Sequence, residues 1–471
     1  MKITHISIEK HLQFKDFDLD LTYPKGHLKE GQPLDKVCII GQSGTGKTTL
    51  LNLLYAFGEL VEKEVRNRQS TLYFPIESDF KIAALDFYGE KKKEDITRLW
   101  SRYNNGEDYI SSDLHLKGTD GSIKRVTSVP KEVFGYEKIL QQNKLFFYIT
   151  ADILAQFSHL SNPIKEEKKL VGMVGEEDME LKQILETYHQ EKMIKIDSTT
   201  DPNLWKYILK EIAAFDKKVT QKNQELFKKL ASKDAEKVFK EFIAWKKEQA
   251  NPRTELAEKL NEILTSFHLK VDPEEMEHYL TILTQNEEII IPHHQLSTGT
   301  KQIILTTSLL WGAKLDNAVV LIDEPECSLY PDTQRKIVDF YTKIADTSQF
   351  FIATHSPIIA ASFEPWEIIE LVLEKDGSVK QEKYYEGERH INNYFTDFRY
   401  LRWDDILREG FGMTEEGNSE FRDKELMKIA RLAKRLEKMR EEGKGQTPEY
   451  EVSLSEYITS AKKVAWNYEK D

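Results

Sequence analysis

Three short stretches of the chain carry side chains that could act together on a phosphate. GQSGTGKT, Gly41 to Thr48, matches the pattern G-x-x-x-x-G-K-[ST] in full. It follows the apolar run KVCIIG and precedes TTLLNLLYAF, so a buried strand should feed a glycine loop that opens a helix. In that setting Gly41, Gly44 and Gly46 let the backbone turn its N–H groups inward, with Ser43 and Thr49 in the same cradle. The helix N-terminus adds the positive end of its dipole. Lys47 would then reach the β- and γ-phosphates of a nucleotide, and the Thr48 hydroxyl would bind Mg²⁺.

The second stretch, VVLIDEPE from Val319, carries Asp323 to the carboxyl end of an apolar strand, where ligands of α/β sheets bind. Asp323 is placed to hold Mg²⁺, directly or through water, and Glu324 to polarise the water that attacks the γ-phosphate. A lone Asp-Glu pair reads as a strand end or helix cap; beside a full phosphate loop it reads as catalytic. The third, ATHSP, ends another strand and offers His355 as a donor to the γ-phosphate. About twenty residues before Val319 lies LSTGTKQ, Leu296 to Gln302, preceded by His293 and His294. No cysteine or acid stands near those histidines at metal spacing, so they are expected to be structural or exposed.

The elements that must position these residues are legible in outline. ITHISIEKHLQFKDFDLDL alternates apolar and polar residues as an exposed-edge β ribbon would. FKIAALDFYG and KLFFYITAD read as strands, and NAVVLIDEP and QFFIATHSP as the clearest parallel-sheet strands. From Pro163 to Pro273 the composition turns rich in Lys and Glu. Trp205, Ile208, Leu209, Ile212 and Val219 recur at helical spacing, as do Leu226, Leu230, Val238, Phe239, Phe242 and Ile243. Asn251 to Thr254, NPRT, reads as a break with Pro252 opening a further helix. The expectation is a helix hairpin too short and irregular for a long coiled-coil arm. After Gly387, RWDDILREGFG precedes an amphipathic helix with Leu426, Ile429, Leu432, Leu436 and Met439 on one face. The fold class expected is α/β, a sheet with flanking helices. The divisions expected are a lobe at 1–160, a helical insertion at 161–284, a second lobe at 285–386 and a helical C-terminal region at 387–471 that could dock a partner.

Bulk properties narrow the classes of function. The 471 residues suffice for two to four domains and carry a formal net charge of −13. That balance argues against a protein coated with nucleic acid, while leaving a local basic groove open. Lys91 to Lys93 and the looser cluster at Lys165, Lys168 and Lys169 are the basic runs; solvated faces are their ordinary explanation. No apolar run is long enough to span a bilayer, and MKITHISIEK is neither a signal peptide nor a presequence. Two cysteines, Cys38 and Cys327, fit a reducing cytoplasm.

The order of motifs resembles the ATP-binding-cassette class of ATPases: phosphate loop, LSxG, apolar strand with Asp-Glu, Ser-Leu-x-Pro turn, strand ending in THSP. More narrowly it resembles the SMC-like and OLD-like branch, including ATPase subunits of anti-phage systems of the Septu and PARIS kind. The resemblance implies that LSTGTKQ is a signature loop, with Ser297 and the Gly299 N–H binding the γ-phosphate of ATP held by another copy. Thr298 stands where transporter cassettes usually have a second glycine, and Leu296 is expected to pack. SLYP, Ser328 to Pro331, would cross the seam of a head-to-tail homodimer or higher oligomer closed by ATP. The family's glutamine loop has Gln141 and Gln142 as nearest candidates. Neither a C-x-x-C hook nor a Toprim acid pattern is found, and Asp404 and Asp405 read as helix N-terminal acids. The resemblance therefore implies a slow ATPase whose partner, in a defence complex, would be a separate nuclease of HNH or Toprim type. A DNA-repair or chromosome-maintenance ATPase is the alternative, and an ATP-held scaffold a third reading.

Overall fold

The computed structural model describes residues 2–65, 81–88, 98–106, 109–117, 123–125, 144–151, 192–197, 204–230, 235–274, 280–292, 295–413 and 420–464. Gln141, Gln142, His293, His294 and both lysine runs named above lie outside them. Two compact units emerge, Met1–Leu401 and Arg402–Asp471.

The first unit opens with β1 (Lys2–His11), β2 (Phe14–Asp20), β3 (Lys36–Gly41) and α1 (Lys47–Val65). Then come β4 (Lys81–Tyr88), β5 (Arg98–Gly106), β6 (Tyr109–Lys117), β7 (Ile123–Arg125), β8 (Phe146–Ile149) and β9 (Met193–Ile196). Helices α2 (Leu204–Leu230), α3 (Ala235–Glu248) and α4 (Pro252–Leu264) lead to a hairpin of β10 (Leu269–Asp272) and β11 (Thr281–Thr284). The unit continues through α5 (Thr298–Ala313), β12 (Val319–Asp323), α6 (Pro331–Ile344), β13 (Gln349–Ala353), β14 (Ile368–Leu373) and β15 (Val379–Glu382).

Among the described residues, thirteen strands form one mixed sheet in the order β7-β6-β5-β4-β1-β2-β15-β14-β3-β13-β12-β8-β9. Strands β14, β3, β13, β12, β8 and β9 are mutually parallel. Every residue of β12 and β13 is buried, which is why their sequences are unbroken apolar runs rather than alternations. Order β3-β13-β12 is the feature that matters for function. It sets the three loops leaving Gly41, Ala353 and Asp323 side by side at the carboxyl end of the sheet.

Several expectations meet their elements. Lys81–Tyr88 and Phe146–Ile149 are strands, and Asn251 caps α4 by accepting from the Arg253 N–H at 3.0 Å, with Pro252 in its first turn. Arg253 is buried and its guanidinium meets Asp216 of α2 at 2.7 Å, tying two insertion helices together.

Others are corrected. The N-terminal ribbon is no edge: β1 is flanked by β2 and β4, so Ile3, Ile6 and Ile8 alternate into the core while the backbone pairs on both sides. The insertion is not all helix, because β9 runs parallel to β8 and extends the main sheet. Four residues give too short a pattern to announce a strand inside a Lys/Glu-rich region. Residues 387–401 belong to the first unit, where Arg389 pairs with Asp20 at 3.0 Å and Phe398 stacks edge-on to Tyr384.

The second unit holds α7 (Trp403–Phe411), α8 (Glu420–Glu441) and α9 (Pro448–Lys463). Asp404 and Asp405 occupy the first turn of α7. On α8, Ile429, Leu432, Leu436 and Met439 are buried, and Leu436 and Met439 pack with Tyr450 of α9.

Candidate functional site

The phosphate loop starts at Gly41, the last residue of β3, and ends as α1 begins at Lys47. Gly46 shows why the pattern needs glycine. Its φ of +91° is a region L side chains rarely adopt, and a Cβ there would collide with the Gln13 amide and come within 3.0 Å of the Phe14 ring. Ser43 and Gly44 are exposed, Thr49 is partly so, and Thr45 is buried with its hydroxyl donating to the Gln42 carbonyl at 2.9 Å.

Lys47 is buried and folds over its own loop, Nζ donating to the carbonyls of Gly41 (2.9 Å) and Gln42 (3.1 Å). Burial draws its pKa below the usual lysine value, while Glu324, Asp323 and Glu326 pull the other way. A cation held among carbonyls and acids, at the first turn of a helix, is poised to exchange those partners for phosphate oxygens.

The Thr48 hydroxyl donates to Asp323 Oδ2 at 2.8 Å, joining the start of α1 to the end of β12. A hydroxyl and a carboxylate at this distance are hard oxygen donors of the kind Mg²⁺ takes when phosphate and water supply the remaining ligands. The pair fits that ion. Among the described residues no cluster of three His, Cys, Asp or Glu side chains forms a cage that could hold a metal alone.

Beyond Asp323 the chain makes a strained turn. Glu324 has φ +49° and Ser328 φ +62°, both left-handed without being glycine. Backbone bonds over-determine the turn: Glu324 N to Ala353 O (2.8 Å), Cys327 N to Glu324 O (3.1 Å) and Leu329 N to Glu326 O (2.9 Å). Strain on the order of 1–3 kcal/mol per residue persists where neighbours enforce it, and the Glu324 side chain on this turn is partly exposed. His355 Nε2 lies 3.9 Å from Glu324 Oε1. Burial, then the charge of Lys47, hold His355 below its ordinary pKa, with Glu324 opposing.

Glu326 was not singled out from sequence, yet it ties the cluster together. Its Oε1 accepts the His355 N–H at 2.6 Å, so the carboxylate of one loop fixes the backbone of the next. Burial raises its pKa, and the hydrogen bond from His355 offsets part of that cost. An acid two residues after the Asp-Glu pair was the available signal; its partner, a backbone N–H, leaves no trace in sequence. Cys327 is its neighbour, a thiol pushed up to about 12 by burial and by Glu324.

The signature-like loop stands apart. Ser297 caps α5, its Oγ accepting the Thr300 N–H at 3.2 Å, and Leu296 is buried among Leu256, Leu260 and Ile304 as expected. Gly299 touches the Ser328 carbonyl so closely that a Cβ could not be accommodated, which couples this loop to the SLYP turn. The Gln302 amide donates to Pro325 O at 3.1 Å, a second tie between α5 and the acidic turn. Among the described residues neither Ser297 nor Gly299 hydrogen-bonds to the phosphate loop.

Lys47, Thr48, Asp323, Glu324 and His355 are thus brought together, and Ser297 and Gly299 are not. Residues 1–360 match the model of a family described as AAA ATPase domain. Three solved structures are similar to the chain. An SMC head bound to the C-winged helix domain of ScpA aligns at TM-score 0.40 and 13% identity, covering 81% of this chain and 97% of that one. An SMC head with an extended coiled coil bound to the C-terminal domain of ScpA, from Pyrococcus furiosus, gives 0.39, 13%, 81% and 96%. The SMC head domain from Thermotoga maritima gives 0.37, 9%, 81% and 99%. No curated protein matches the sequence.

Proposed function

The chain belongs to the AAA ATPase domain family, and from that premise we propose that it hydrolyses Mg²⁺-ATP at the carboxyl ends of β3, β12 and β13, in a site completed by a second copy. The observation that carries the reading is the convergence of Lys47, Thr48, Asp323, Glu324 and His355 from three separate loops. Lys47 and the loop N–H groups bind the phosphates. Thr48 and Asp323 would hold Mg²⁺, which when bound would neutralise charge on the phosphate oxygens. Glu324 accepts a proton from the water whose oxygen bonds the γ-phosphorus as the bond from that phosphorus to the ADP oxygen breaks, and His355 donates a hydrogen bond to the γ-phosphate.

Ser297 and the Gly299 N–H are proposed to complete the site of another copy, with Ser328 to Pro331 at the seam. Their position at the N-terminus of α5, with Ser297 exposed and neither residue hydrogen-bonded to its own phosphate loop among the described residues, supports this. ATP then closes the head-to-tail assembly and hydrolysis reopens it.

The motif order extends the proposal to a biological role, as the ATPase subunit of an anti-phage complex that controls a separate nuclease. Cells carrying the chain with and without its genomic neighbour, challenged with phage, test that step. Protection needing the neighbour, Lys47 and Glu324 supports it. No protection, together with DNA-stimulated turnover that depends on Lys47, would move the proposal to DNA repair.

A further inference from the structure

Along α8, Lys424, Lys428, Arg431, Arg435 and Lys438 follow one another at steps of four, three, four and three residues. Such steps keep side chains on one line of an α-helix. All five are exposed, and exposed Lys434 flanks the line. The row covers about 21 Å at ~1.5 Å per residue.

Two acids of the helix, Glu425 and Glu437, lie off this line. Glu425 points toward Lys463, 3.4 Å away, and Glu437 falls on the other side of the helix. Lys438 reaches Glu442 only at 3.9 Å, with both side chains exposed. Arg431, Lys434 and Arg435 make no ion pair among the described residues. In a chain of net charge −13, an exposed cationic row centred on Arg431, Lys434 and Arg435 is a local feature and not a background.

We propose that this face of α8 binds double-stranded nucleic acid along its phosphate backbone. A duplex carries a negative charge per ~1.7 Å of axis, so about a dozen phosphates span the length of the row. A straight line of point charges suits a continuous polyanion better than it suits the compact acidic patch of a folded protein. A membrane surface is disfavoured by the other face. An interfacial helix buries its apolar stripe in lipid, whereas here Leu436 and Met439 are spent on Tyr450, Leu454 and Tyr457. Exposed Phe421 and Met427 are too few to replace that stripe.

The test uses the full-length protein and labelled 20-base-pair duplexes of random sequence, one DNA and one RNA, in anisotropy titrations at two salt concentrations. Arg431→Gln/Lys434→Gln/Arg435→Gln is compared with wild type and with Lys375→Gln/Lys380→Gln/Lys383→Gln, an equal charge change in the first unit. ATP turnover within twofold of wild type certifies the fold of both triples. Binding of either duplex by wild type, weakened roughly tenfold or more by the α8 triple with a salt slope smaller by about 2 to 3, is the expected result. The control triple should bind within twofold of wild type. Equal binding by the two triples, or binding of wild type to anionic phosphatidylserine vesicles but to neither duplex, would overturn the proposal.

Discussion

The phosphate-loop side and the signature-loop side of the proposed ATP site are built on different terms. On the first, five side chains from three loops already meet within one chain, through bonds such as Thr48 to Asp323 at 2.8 Å. On the second, Ser297 bonds to Thr300 and Gly299 lies close against the Ser328 carbonyl, and neither hydrogen-bonds to the chain's own phosphate loop among the described residues. The difference teaches that nucleotide binding and turnover need not share determinants. On the proposed reading a single copy holds what binding requires, while turnover calls on residues that a second copy brings.

Damage to the first side should therefore abolish binding. Lys47→Ala removes the one buried cation of the loop, and ATP affinity measured by calorimetry should fall by about a hundredfold or more, with turnover lost. Damage to the second side should spare it. Ser297→Asp keeps a good helix cap yet sets a negative charge toward the partner's phosphate. Turnover should drop about ten- to a hundredfold while affinity stays within threefold; a parallel loss of affinity would place Ser297 on the wrong side of the comparison.

Glu326 sharpens the contrast from within the first side. Glu326→Ala frees the His355 backbone, and kcat is expected to fall about tenfold with little change in KM, because His355 is mispositioned and Lys47 is not. Glu326→Gln, which still accepts that N–H, should recover most of the rate. The smallest effect lies at the opposite end of β3, where burial raises Glu367 to about 7. A carboxyl whose folded pKa exceeds its unfolded value of about 4.5 favours the fold below that value, and the advantage is lost as pH rises through 7. Thermal melts should weaken between pH 5 and 8 by ~1–3 kcal/mol, and Glu367→Gln should flatten that dependence while leaving ATP affinity unchanged.

What the sequence discloses follows the range of each interaction. The loop from Gly41 to Thr48 is legible because it is made by consecutive residues. Asp323 and His355 are legible because one ends and the other closely follows a short, wholly buried strand. Glu326 is hidden, since its partner is a backbone N–H in another loop. Strand β9 is hidden because its register against β8 is set by tertiary pairing, not by its own four residues. The alternation of β1 correctly signals one buried face, but neighbours in the ladder are invisible to a periodicity, so an interior strand looked like an edge.

One measurement reaches the central claim most directly: single-turnover hydrolysis of ATP by Glu324→Gln, with bound nucleotide counted alongside. Glu324 is expected to act on water and not on the phosphates. The variant should keep ATP bound at wild-type stoichiometry while hydrolysis slows by at least about a hundredfold. Hydrolysis within threefold of wild type would contradict the account and remove Glu324 from the reaction.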